Sequence, residues 1–159
     1  MHPPKVLLIP IDFTSTTSRL IEVALEIARA YDAKLVLMHA FFIPPMPYSG
    51  PFTWVTDELR AAAQASLDQE LAKLAAAYPR CDSILRAGDP RDAILAAAHD
   101  SHADWIVMGT LASGARRLLL GSVADQIIRR SPIPVLCVPP PPQQPSAKVA
   151  QEQTRAATL

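Results

Sequence analysis

The chain has 159 residues, half of them apolar, and its fifteen basic and fifteen acidic side chains leave no formal net charge. That length fits a single domain with a core of its own. The charge balance argues against broad electrostatic attraction to nucleic acid or an anionic membrane, and no apolar run approaches the roughly 20 residues that span a bilayer.

The run Val6 to Ile11 is continuously apolar, as a strand covered on both faces requires. Asp12 follows it. Thr14 or Ser15 supplies an N-cap for a helix reaching Tyr31, whose buried stripe is Leu20, Val23, Ala24, Ile27 and Ala28. Ala33 to Ala40 is a second buried strand. The segment from Phe41 to about Trp54 holds four prolines and is irregular, a kind of loop that often lies over a site. Its Tyr48, Phe52 and Trp54 either anchor it to the core or cover a ligand. A helix over Asp57 to Tyr78 then carries Leu59, Ala63, Leu67, Leu71 and Leu74.

Cys81 to Ala87 is half-polar, as an edge strand is. Asp89 and Pro90 have the residue types of the N-cap and first position of a helix to about His99. Asp104 to Met108 is the fourth strand, a helix runs from Gly121 or Ser122 to Arg130, and Ile133 to Val138 is the fifth strand. This alternation predicts an α/β fold, a parallel sheet with right-handed crossovers and helices on both faces. The domain occupies residues 1–139. Residues 140–159 are polar, Ala-rich and free of aromatics, and are expected to be a disordered tail, with Pro139 to Pro142 a stiff exit. Cys81 and Cys137 match no metal or redox spacing and read as small buried hydrophobes of a reducing compartment. Met1 to Lys5 shows no signal-peptide pattern, so the expected location is the cytoplasm.

The segment most informative about function joins the fourth strand to the helix after it. Met108 and Gly109 end the strand, a loop of small residues follows, and Gly121, Ser122 and Val123 open the helix. Bare backbone N–H groups and the positive end of a helix dipole make such a place an anion site. Gly109 permits close approach of a ligand and a positive φ. Asp12 is either a helix cap or one lip of the same crevice. Arg116 and Arg117 either reach phosphates or face solvent. His39 reads as a satisfied, partly buried histidine or a crevice residue, and His99 and His102 as a surface helix end, because nothing completes a metal set around them. No Walker-type lysine or nucleophile–base pair occurs, so no catalytic residue is assigned and any ATP hydrolysis is expected to be slow.

Five patterns now stand in order: Ile9-Pro10-Ile11-Asp12-Phe13, Leu37-Met38-His39-Ala40, Gly88-Asp89-Pro90, Met108-Gly109 with Leu120-Gly121-Ser122-Val123-Ala124, and Ser131 to Val138. Together they resemble the universal stress protein family over Val6 to Val138. The resemblance implies a five-stranded sheet with flavodoxin-like, adenine nucleotide alpha hydrolase-like winding, in strand order 3-2-1-4-5. It implies homodimers paired through the last strand, Ile133 to Val138, and a family divided into members that bind ATP and members that do not. It places Asp12 at the ribose or a bound Mg²⁺, and Pro10, Ile11 and Ala40 at the adenine. Met108, Gly109, Ala112, Ser113, Gly114, Gly121, Ser122 and Val123 are then the candidates of the glycine loop.

Nucleotide-binding members carry Gly-x2-Gly-x9-Gly-Ser/Thr in that loop. Here Ala112 stands at the second glycine, the stretch to Gly121 is one residue short, and Gly114 does not restore the spacing. Either the loop re-closes around phosphate with Ser113 and Gly114, or tight ATP binding is lost. Two functions follow. One is a homodimeric, regulatory stress-response module that binds ATP or another adenine nucleotide, with or without Mg²⁺ and with no covalent cofactor. The other is an interaction protein of the same fold that binds no nucleotide and acts through its dimer and loop surfaces. Neither involves nucleic acid or a membrane, and the protein partner is left open.

Overall fold

The computed structural model describes residues 2–42, 53–110 and 120–140. Strands and helices alternate along them as β1 (Val6–Pro10), α1 (Thr17–Tyr31), β2 (Lys34–Phe41), α2 (Thr53–Ala77), β3 (Cys81–Ala87), α3 (Pro90–Asp100), β4 (Trp105–Gly109), α4 (Ser122–Arg130) and β5 (Val135–Val138). The five strands form one parallel sheet in the order β3-β2-β1-β4-β5, as the alternation and the resemblance led us to expect.

Successive side chains of a strand face opposite ways, and both faces of this sheet are covered. Leu7 and Ile9 of β1 enter one core with Leu20, Ala24 and Ala28 of α1 and Leu67 and Leu74 of α2. Leu8 enters the other core with Ile94 and Ala97 of α3 and Ala124 and Ile127 of α4. Leu7, Leu8 and Ile9 are all fully buried, which is why β1 shows no polar alternation. Full burial of each such side chain is worth roughly 1.5–3 kcal/mol. At the lower end of the sheet Asp104 Oδ2 accepts from the N–H groups of Lys5 (2.7 Å) and Val6 (2.9 Å), tying the start of β1 to the start of β4.

Several expected boundaries move for local reasons. α1 begins at Thr17, later than a cap at Thr14 or Ser15 would set it, because the Thr14 hydroxyl is engaged with Asp12 and Thr16. Thr16 is the N-cap residue, and its side chain makes no capping bond. β5 starts two residues late because Pro134 has no N–H for a ladder bond. α2 starts at Thr53, four residues earlier than Asp57, so Trp54 belongs to helical backbone rather than to the loop. On α2 Leu67 and Leu74 are buried and Leu71 packs on them, while Leu59 is 41% exposed and takes no part in the core. Cys81 and Cys137 are half-buried rather than buried, since they lie on the two edge strands, and burial raises the pKa of both free thiols. Tyr48, Phe52, the Trp54 side chain and the tail beyond residue 140 lie outside the described residues.

Candidate functional site

β1 and β4 are neighbours, yet the helices that follow them lie on opposite faces of the sheet. The chain must part at such a point, beyond the carboxyl ends of the two strands. A cavity of about 260 Å³ occupies it. It is lined by Pro10 at the end of β1 and Ile11 and Asp12 after it, by Thr16, Thr17 and Leu20 of the α1 start, and by Met38, His39 and Ala40 of β2. Pro90 and Ile94 of α3, Met108, Gly109 and Thr110 at the end of β4, and Gly121, Val123 and Ala124 of α4 complete it.

Eight of the residues chosen from sequence therefore meet in one cavity: Pro10, Ile11, Asp12, Ala40, Met108, Gly109, Gly121 and Val123. Ser122 heads the same helix with an exposed side chain outside the lining. Ala112, Ser113, Gly114, Arg116 and Arg117 lie outside the described residues.

One lip of the cavity donates hydrogen bonds. An α-helix leaves its first N–H groups without intrahelical acceptors, and on α4 the first N–H to close onto the helix is that of Asp125, on the Gly121 carbonyl at 3.0 Å. Among the described residues the N–H groups of Ser122, Val123 and Ala124 have no acceptor, and they lie at the positive end of the helix dipole. Gly121 itself does not serve as expected, because its N–H donates to the Thr110 carbonyl at 2.7 Å and closes the stem of the loop.

Gly109 is also needed for a different reason than backbone freedom. Gly88 is the described glycine with positive φ, at 122°, and Gly109 is not in that region. Among the described residues a Cβ at Gly109 would meet only Thr16 Oγ1, at 4.0 Å, so the glycine leaves space toward α1 rather than enabling a turn.

The opposite lip accepts. Asp12 is exposed, and its Oδ1 takes the Thr14 N–H (3.1 Å) and the Thr14 hydroxyl (2.6 Å). It stabilises the turn before α1 and is not that helix's cap. Phe13 beside it has φ of +57°, a conformation that costs a non-glycine residue and tends to persist where surrounding contacts enforce it. Its ring packs on His39 with centroids 4.3 Å apart, and His39 Nδ1 lies 2.8 Å from the Ile11 carbonyl. A carbonyl only accepts, so Nδ1 carries the hydrogen. His39 is both satisfied and part of the cavity wall.

The start of α3 adjoins the cavity too, but it is closed to anions. Pro90 has no N–H, and Asp89 caps the helix by accepting from the Arg91 N–H at 2.8 Å. Hydrogen bonds from the Arg91 side chain and backbone hold the Asp89 carboxyl down at about 2. Of these two helix starts, α3 is closed by its own cap, whereas on α4 no described residue engages the first N–H groups.

Thr16, Thr17, Met38, Pro90, Ile94, Thr110 and Ala124 line the cavity without having been assigned to the site, and Leu20 was assigned only to the core. For Thr16 and Thr17 a signal existed: the helix after β1 must begin at the same switch point as the helix after β4. Pro90 and Ile94 arrive through the packing of α3 against β2, which no local pattern announces. Thr17 is only 5% exposed, and its Oγ1 has no hydrogen-bond partner. His99 pairs with Asp100 at 3.1 Å on the surface, and the described residues contain no group of three or more metal-ligating side chains.

Comparison with known proteins agrees with this fold. Residues 4–139 match the model of the universal stress protein family. A relative from Thermus aquaticus, named as a universal stress protein, is 35% identical over 135 residues, covering 84% of this chain and 98% of its own length. Among solved structures, a universal stress protein in complex with cAMP superposes with a TM-score of 0.66 at 28% identity, covering 86% of this chain and 98% of that one. The universal stress protein from Archaeoglobus fulgidus in complex with dAMP shares the fold, with a TM-score of 0.63 at 22% identity over 86% of this chain and 98% of its own. Among the described residues no helix is long and apolar enough to cross a membrane.

Proposed function

The chain belongs to the universal stress protein family, and on that footing we propose that it is a regulatory module that binds an adenine nucleotide in the cavity between β1 and β4. The observation that carries the proposal is the division of that cavity into a donor lip and an acceptor lip. The N–H groups of Ser122, Val123 and Ala124, which no described residue engages, suit a phosphate. The apolar wall of Met38, Ala40 and Ile94 suits the face of a base. Asp12, across the cavity, suits a sugar hydroxyl or a cation carried by the phosphates. A Mg²⁺ would come with the nucleotide, held by its phosphates and Asp12, since Mg²⁺ commonly binds through one or two carboxylates plus substrate phosphates.

A homodimer paired through β5 belongs to the same proposal. β5 is an edge strand with unpaired backbone groups, and Leu136 on it is 37% exposed.

Titration calorimetry with AMP and ATP, with and without Mg²⁺, tests the binding. Wild-type protein should release heat, and Gly109→Ala should lose at least about tenfold in affinity with unchanged thermal stability, because its methyl meets no described residue closer than 4.0 Å. An absence of heat at 1 mM of either nucleotide, where half-saturation would already mean only about −4 kcal/mol, refutes the proposal and favours the interaction-protein reading.

A further inference from the structure

Thr14 and Thr16 extend a chain of hydroxyls from Asp12 toward the β4 lip, and counting protons fixes its direction. The Asp12 carboxylate only accepts, so the single hydroxyl proton of Thr14 goes to Asp12 Oδ1, 2.6 Å away. Thr14 Oγ1 then has only lone pairs left for Thr16 Oγ1 at 2.8 Å, and Thr16 is the donor of that pair. With its one proton committed, Thr16 has only lone pairs for anything in the cavity it lines, close to Gly109. Thr16 Oγ1 has no proton to give a phosphate oxygen, and the charge of Asp12 repels one. A group that donates, such as a sugar hydroxyl, fits.

We propose that Thr16 is a specificity-determining residue that accepts a hydrogen bond from a ribose hydroxyl of the bound nucleotide, its acceptor state enforced by Asp12 through Thr14. The proposal rests on the adenine-nucleotide reading above and deepens it by naming the residue that reads the sugar. Thr14 is a positioning residue, since it acts only through Thr16.

The test is calorimetric binding of AMP, 2′-deoxy-AMP and 3′-deoxy-AMP to wild type, Thr16→Val, Thr16→Ser and Thr14→Val. Wild type should bind one of the deoxy nucleotides about tenfold more weakly than AMP, the loss of one hydrogen bond. Thr16→Val should bind AMP and that analogue within about twofold of each other, a coupling that a merely structural threonine would not produce. Thr16→Ser, which keeps the hydroxyl, should retain the gap. Thr14→Val frees the Thr16 proton and should narrow it. Equal binding of all three nucleotides by wild type, or an undiminished gap in Thr16→Val or Thr14→Val, overturns the assignment and leaves nucleotide binding standing. Failure of wild type to bind AMP and ATP at all overturns both.

Discussion

Thr17→Val replaces a hydroxyl by a methyl at a residue that is 5% exposed and whose Oγ1 has no hydrogen-bond partner. A buried polar group left unpaired costs about 1–3 kcal/mol, and its removal gives that back. Little opposes the gain. The Thr17 backbone N–H keeps its bond to the Thr14 carbonyl at 3.0 Å, and no cap is lost because Thr16 holds that position. The helix propensities of threonine and valine are nearly equal. The ligand-free variant should therefore be more stable by about 1–2 kcal/mol, and for a chain of this size its Tm should rise by about 2–8 °C. Urea unfolding followed by circular dichroism checks it, with the midpoint rising and the slope unchanged. A lower midpoint in Thr17→Val would refute the reasoning, because it would mean that the hydroxyl is paired in solution.

Two further expectations concern the surface. The Asp89 carboxyl is held at about 2 by Arg91, below its ordinary value of 3.8. A depressed carboxyl stabilises the fold above the unfolded value, and that contribution is lost as pH falls from about 4 toward 2. Asp89→Asn, which still caps α3, should flatten the dependence of stability on pH in that window, and an unaltered slope would contradict the ion pair's role. Leu136→Lys places a charge on the exposed edge of β5 and should give a monomer by light scattering at micromolar concentration. A dimer of unchanged mass in that variant would place the interface elsewhere.

The helix starts show how far local chemistry reaches. Asp89-Pro90 was legible because both residue types act within a single turn, one as acceptor and one as a residue without an N–H. The start of α1 was misplaced because Thr14, Ser15, Thr16 and Thr17 are all capping types, and the choice among them depends on where the Asp12 carboxylate sits. Leu59 likewise has the spacing of a core residue, and only the position of α2 over β2 and β3 leaves it in solvent.

The sequence by itself determined the strands and helices, their α/β class and the cluster of site residues at the ends of β1 and β4. Unbroken apolar runs and glycine-helix junctions are local signals, and the family's patterns recur in the same order. Only the tertiary structure decided which groups of the site are free to act. It shows the Gly121 N–H already spent on Thr110, the Gly109 backbone in an ordinary conformation and the α3 start closed by its own cap. It also shows Thr16 and Thr17 brought into the wall. The reason is physical: a residue type states what a group can donate or accept, whereas availability depends on which neighbour reaches that group first, and those neighbours come from parts of the chain far apart in sequence.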